Sequence, residues 1–100
     1  MSITIRLPGP LRELAQGRAE IAIDGDARTV ADVFAALRAR FPAVHDRIIT
    51  EQGELRPHVN VFVGMDNIRM ADGLATALGI ETEITILPAV SGGTQTVAPE

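Results

Sequence analysis

Residues 29–42 constrain the fold more than any other stretch of the chain. Val30, Val33, Phe34, Leu37 and Phe41 recur at three- and four-residue spacing and share one face of a helix, with Asp32, Arg38 and Arg40 outside that stripe. Thr29 is placed to cap the first turn. Asp32, three residues on, completes a capping-box arrangement that satisfies backbone N–H groups left without helical partners. Pro42 lacks a backbone donor and ends the helix. A helix with one apolar stripe needs an apolar surface to lie on.

The rest of the chain supplies that surface as period-two alternation. Ile3, Ile5 and Leu7 alternate with Thr4 and Arg6 up to Pro8-Gly9-Pro10, and Ile21 and Ile23 alternate with Glu20, Ala22 and Asp24 before Gly25-Asp26. These two segments predict an N-terminal hairpin. Val59-Asn60-Val61-Phe62-Val63 reads as a strand from its β-branched and aromatic content, closed by Gly64 and the turn-prone Asp66-Asn67. Residues 68–70 are expected to pair back briefly. Residues 83–87 form a last strand, with Ile84 and Ile86 on one face and Thr85 and Leu87 on the other. Residues 11–15 and 44–50 are expected as short helical pieces, and 73–78 as a helical turn or irregular stretch.

The order strand, strand, helix, strand, short strand, strand predicts an α+β fold, a mixed sheet with one main helix packed on one face. One helix covers one face of a sheet, so apolar residues on the other face need a separate account. Val59, Val61 and Val63 share a face while Phe62 points the opposite way, and one of these sets cannot meet the helix. Leu87 raises the same question. Coverage by loops and a protein-docking surface both remain open at this point.

Composition narrows the chemistry. The 100 residues amount to one domain, and an apolar fraction of 46% is enough for a core of its own. The absence of cysteine excludes disulfides, thiolate metal sites, iron–sulfur clusters and a cysteine nucleophile. Any sulfur chemistry must therefore use imported sulfur. Thirteen acidic residues stand against nine basic ones, every one of them arginine, for a net charge of −4, which disfavours a nucleic-acid partner. No apolar run approaches the roughly 18 residues of a membrane span, and the N-terminus lacks a signal-peptide layout. A cytoplasmic protein without a membrane partner is expected.

No self-contained active site is visible. His45 and His58 are far apart and lack metal-ligand spacing, so no metal site is expected. The carboxylates are scattered over turns and strand faces. Ser91 sits in no nucleophile-elbow pattern, and Gly92-Gly93 in no strand-to-helix loop that would cradle a phosphate. The diglycine instead follows the last strand and precedes residues 94–100, which have no periodicity and are expected as a disordered C-terminal extension. Two residues without Cβ make a thin thread that a narrow cleft of another protein can admit.

At these residues the sequence resembles a known family. Leu11-Arg12-Glu13-Leu14 after the first strand, the helix start Thr29-Val30-Ala31-Asp32-Val33, Val59-Asn60-Val61, and the ending Ile86-Leu87-Pro88-Ala89-Val90-Ser91-Gly92-Gly93 are similar to the MoaD/ThiS sulfur carriers of ubiquitin-like β-grasp fold. The resemblance runs in order from residue 3 to 93. Gly73-Leu74-Ala75-Thr76-Ala77 together with Ile86-Leu87-Pro88-Ala89-Val90 look more like the carrier of cysteine biosynthesis than the small subunit of molybdopterin synthase.

The resemblance implies a carrier domain over residues 1–93 whose reactive group is the Gly93 carboxylate, with Gly92 beside it. It also implies that the chain is a protein co-substrate, not an enzyme. An ATP-dependent, E1-like enzyme would adenylate the carboxylate, and a sulfur donor would displace AMP to leave a thiocarboxylate. A sulfur-acceptor synthase would then take the sulfur. The carrier itself binds no cofactor, since ATP and the sulfur donor belong to the activating enzyme. By carry-over, Val61, Val63, Leu87, Pro88 and Val90 would dock partners. The chain departs from the family pattern in that Gly93 is joined to Thr94. Residues 94–100 would have to be removed first, as in related carriers matured by JAMM-type metalloproteases. A small subunit of molybdopterin synthase and a ubiquitin-like protein modifier are the alternative roles.

Overall fold

A computed structural model describes residues 2–79 and 83–88. Strand β1 (Ser2–Arg6) and strand β2 (Glu20–Asp24) alternate as their sequence predicts, with Ile3, Ile5, Ile21 and Ile23 buried. They pair antiparallel, Ile3 opposite Ile23 and Ile5 opposite Ile21. Their connection is a compact excursion. Short helix α1 (Gly9–Arg12), with a proline in its first turn, runs into a 3-10 turn (Glu13–Ala15), and the chain reverses where Gln16 and Gly17 take positive φ of 60° and 82°.

Helix α2 (Val30–Arg40) buries Val30, Val33, Phe34 and Leu37. Its capping box is formed. Asp32 N donates to Thr29 Oγ1 at 3.3 Å, and Asp32 Oδ2 accepts from the N–H of Thr29 at 3.1 Å and of Arg28 at 3.0 Å. Phe41 lies just past the helix, half-buried against the core, because Pro42 starts a new helix, α3 (Pro42–Ile48). Proline at a first helical position sacrifices no bond. Val44 and Ile48 of α3 enter the same core.

Strand β3 (Val59–Val63) pairs antiparallel with strand β5 (Glu83–Pro88), and β5 pairs parallel with β1. The sheet runs β2-β1-β5-β3-β4, which places β5 in the middle with ladders on both sides. This mixed sheet crossed by α2 is the expected β-grasp architecture.

Two expectations need correction. The chain pairs back after β3 through β4 (Asp66–Asn67), not through residues 68–70. Asn67 Oδ1 accepts the N–H of Arg69 at 2.9 Å, so Ile68–Met70 coils into a 3-10 turn that drives Ile68 into the core. The second correction concerns Val61 and Val63 as docking residues. Val61 stands opposite Ile86 and Val63 opposite Ile84, and residues opposite one another share a face. That face meets α2, so Val61 is wholly buried and Val63 is 7% exposed, and neither can reach a partner. The outward face belongs to Asn60, Phe62, Thr85 and Leu87.

Candidate functional site

The last described residues of β5 are the root of the segment that carries the diglycine. Leu87 faces Asn60 and is 44% exposed, while Pro88 pairs with Val59 and is also exposed. Leu87 and Pro88 are thus the two predicted docking residues that the structure presents to solvent. Val90, Gly92, Gly93 and residues 94–100 lie outside the described residues.

The root is rigidly mounted. Ile84 and Ile86 are buried, and Ile84 pairs with Ile5 of β1 on one side and Val63 of β3 on the other. On the outer face the Arg6 guanidinium crosses three strands. Its Nε donates to Glu83 Oε2 at 2.7 Å, and its Nη1 lies 3.2 Å from Glu20 Oε2. The hydrogen bond to Glu83, and then the charges of Glu83 and Glu20, raise the Arg6 pKa above its ordinary value. Ser2 Oγ donates to Asp24 Oδ1 at 2.8 Å farther along the same β2–β1 side.

The outer face is therefore divided. Its β2–β1 side is ionic, whereas its β5–β3 side carries the half-buried Phe62 beside the exposed Leu87 strand face. Phe62 also lines a shallow groove with Met65 and Met70, the most exposed large apolar side chains among the described residues. Docking assigned by resemblance missed Phe62, although its opposite parity to Val61 in the sequence was the signal for it. Such methionine- and aromatic-bearing surfaces suit contact with another protein.

No catalytic constellation accompanies this surface. Among the described residues no group of three or more His, Cys, Asp or Glu side chains could hold a metal. His45 Nδ1 lies 3.2 Å from Asp46 Oδ1 on α3, away from the β5 root. No helix of the structure is long and apolar enough to cross a membrane. The arrangement can hold out a chain segment from a firmly anchored strand beside an apolar contact surface.

Comparison with known proteins agrees with that geometry. The sequence matches the ThiS family over residues 5–93. It is 34% identical over 95 residues to the sulfur carrier protein CysO of Mycobacterium tuberculosis, covering 93% of this chain and all of that one. It is 37% identical over 95 residues to small archaeal modifier protein 3 of Haloferax volcanii, with the same coverage of both chains. The structure superposes with a TM-score of 0.77 on a chain of the Amycolatopsis orientalis BexX/CysO complex, at 27% identity, covering 91% of this chain and 99% of that one. The chain belongs to the ThiS family, a sulfur-carrier family of ubiquitin-like fold in which it is a protein carrier and not an enzyme.

Proposed function

We propose that the chain carries sulfur on the carboxyl group of Gly93. The observation that supports this most is the boundary of the family match, which stops at residue 93, the second glycine of the pair. On this reading residues 1–93 are the working domain and residues 94–100 an extension to be removed.

Removal is a chemical requirement. While Gly93 is joined to Thr94 its carbonyl is an amide, and no carboxylate oxygen is available to attack ATP. Hydrolysis of that bond, assigned to a JAMM-type metalloprotease, frees the carboxylate. In an E1-like enzyme a carboxylate oxygen attacks the α-phosphorus of ATP and pyrophosphate leaves. A sulfur nucleophile then adds to the acyl carbonyl, AMP departs, and a thiocarboxylate remains. An acceptor synthase takes the sulfur and the carboxylate is regenerated. ATP and the sulfur donor act in the partner enzyme, and the carrier holds no cofactor.

In this scheme the arm root at Leu87 and Pro88, the adjoining Val90, and the outward Phe62 make the contact with partners. The CysO relative fits a carrier for cysteine biosynthesis better than one for molybdopterin, and a cytoplasmic setting fits ATP-dependent activation. Intact-mass analysis of the protein isolated from its host tests the maturation step. A population ending at Gly93 is expected, and full-length chains alone during sulfur-demanding growth would contradict it.

The resemblance to an archaeal modifier supports a second reading, in which Gly93 is joined to lysines of other proteins. An isopeptide between Gly93 and a foreign lysine is the product that would distinguish it. The chain contains no lysine to serve as its own side-chain acceptor.

A further inference from the structure

We propose that a cationic groove on the helical side of the molecule is a second interaction surface, which takes an acidic, partly apolar peptide segment of a partner protein. The groove, about 730 Å³, opens between the flank of α2 and the α3 region. Ala31, Ala35 and Arg38 line one wall at i, i+4 and i+7, and His45, Asp46 and Arg56 line the other. The two exposed alanines keep that flank low enough for a chain to lie along it. A smaller depression shares Asp46 and Arg56 with the groove and adds Arg47 and His58. Arg56 is three residues before Val59, and Val59 stands opposite Pro88, so the cationic surface runs toward the end of the molecule where β5 leaves the sheet.

The charges on this surface are available. Arg6, Arg12, Arg40 and Arg69 are engaged elsewhere by carboxylates or backbone carbonyls. Arg38 and Arg47 make no hydrogen bond or ion pair among the described residues. Arg56 donates only through Nε, to the backbone oxygen of Asp46 at 2.8 Å. Of the two carboxylates on the lining, Asp46 is turned to His45 Nδ1 at 3.2 Å, which leaves Glu51. Three guanidinium groups therefore gather on one side of a chain whose net charge is −4.

That combination favours an anionic partner and selects its class. A nucleic-acid backbone would set phosphates against Asp46 and Glu51 and gain nothing from Ala31, Ala35 and Phe34. A peptide can place acidic side chains on the arginines and apolar ones on the alanine floor. Identifying this partner with one that also receives the arm rests on the sulfur-carrier reading, whereas the groove itself does not.

The test is a titration of the isotope-labelled full chain, followed by amide shifts, with a synthetic peptide alternating Glu and Leu. Its lysine counterpart and a single-stranded DNA oligonucleotide serve as comparisons. Shifts are expected at Ala31, Ala35, Arg38, His45 and Arg56, with binding that weakens as salt rises. Arg38→Glu combined with Arg47→Glu should weaken the acidic peptide about tenfold while the core amides keep their positions. Equal binding of the lysine peptide, tighter binding of the oligonucleotide, shifts confined to the Leu87 face, or no effect of the double variant would each overturn the proposal. The titration needs no activating enzyme, so its failure is separate from failure of Gly93 to be thiocarboxylated.

Discussion

Val61 stands directly opposite Ile86 in the ladder between β3 and β5, and neither side chain reaches solvent. One residue along, Asn60 faces the exposed Leu87. The parity of β5 thus splits its work, with Ile84 and Ile86 fastening the strand to the core under α2 while Leu87 is left to the surface. Val61→Ala should lower stability by about 2–3 kcal/mol, through lost apolar burial and the cavity left behind. Leu87→Ala should change it by less than about 1 kcal/mol. Urea denaturation of both variants checks the contrast, and equal losses would contradict the assigned faces.

Leu87→Asp and Phe62→Asp address the docking surface. Both side chains lie on the outward face, so the variants should fold. Each should slow thiocarboxylation of a chain ending at Gly93 by about tenfold or more, the loss typical of a contact anchor. Steady-state rates with the activating enzyme in excess of the carrier provide the check, and unchanged rates with both variants would remove this face from the contact.

The α2 cap has its own pH signature. The backbone N–H groups of Arg28 and then Thr29 hold the Asp32 carboxyl below its ordinary pKa. Because the folded value is depressed, the cap contributes fully above the ordinary carboxylate pKa, and its contribution is lost as pH falls through the folded value. Melting temperatures across the acidic range should fall less steeply for Asp32→Asn than for the parent chain. Identical slopes would contradict the assignment. At neutral pH, Thr29→Ala should cost about 1 kcal/mol.

Arg69 ties down the entry to β3. One guanidinium nitrogen, Nη2, donates to the carbonyls of Arg56 and Val59, each at 2.7 Å. Arg69→Ala leaves the part-buried Val59 carbonyl without this donor and should cost about 1–3 kcal/mol. Hydrogen exchange at the Val59 amide, which donates to Arg56 O, should quicken in the variant. Unaltered exchange there would show that the clamp is dispensable.

Much of the fold was legible because local and long-range signals agree. Thr29, Asp32 and the stripe from Val30 to Leu37 define α2 without reference to anything distant, and alternation locates β1, β2, β3 and β5. Alternation says which residues share a face but not which face meets the helix. For Val61 and Phe62 that choice is made by the central position of β5, whose Ile84 pairs with both Ile5 and Val63. The switch from pairing to coiling at Ile68 depends on one side-chain hydrogen bond from Asn67, a competition that residue type alone does not resolve. The groove between α2 and α3 was illegible for a related reason, since Arg38, Arg47 and Arg56 come together only through the packing of separate elements.

The central claim is that Gly93 carries the sulfur and must first be freed. Its most direct test is intact mass after incubation with an E1-like enzyme, ATP and a sulfide source, comparing the full chain with one ending at Gly93. The prediction is an oxygen-to-sulfur mass change in the shorter chain only. No change in the shorter chain, or thiocarboxylation of the untrimmed one, would contradict it.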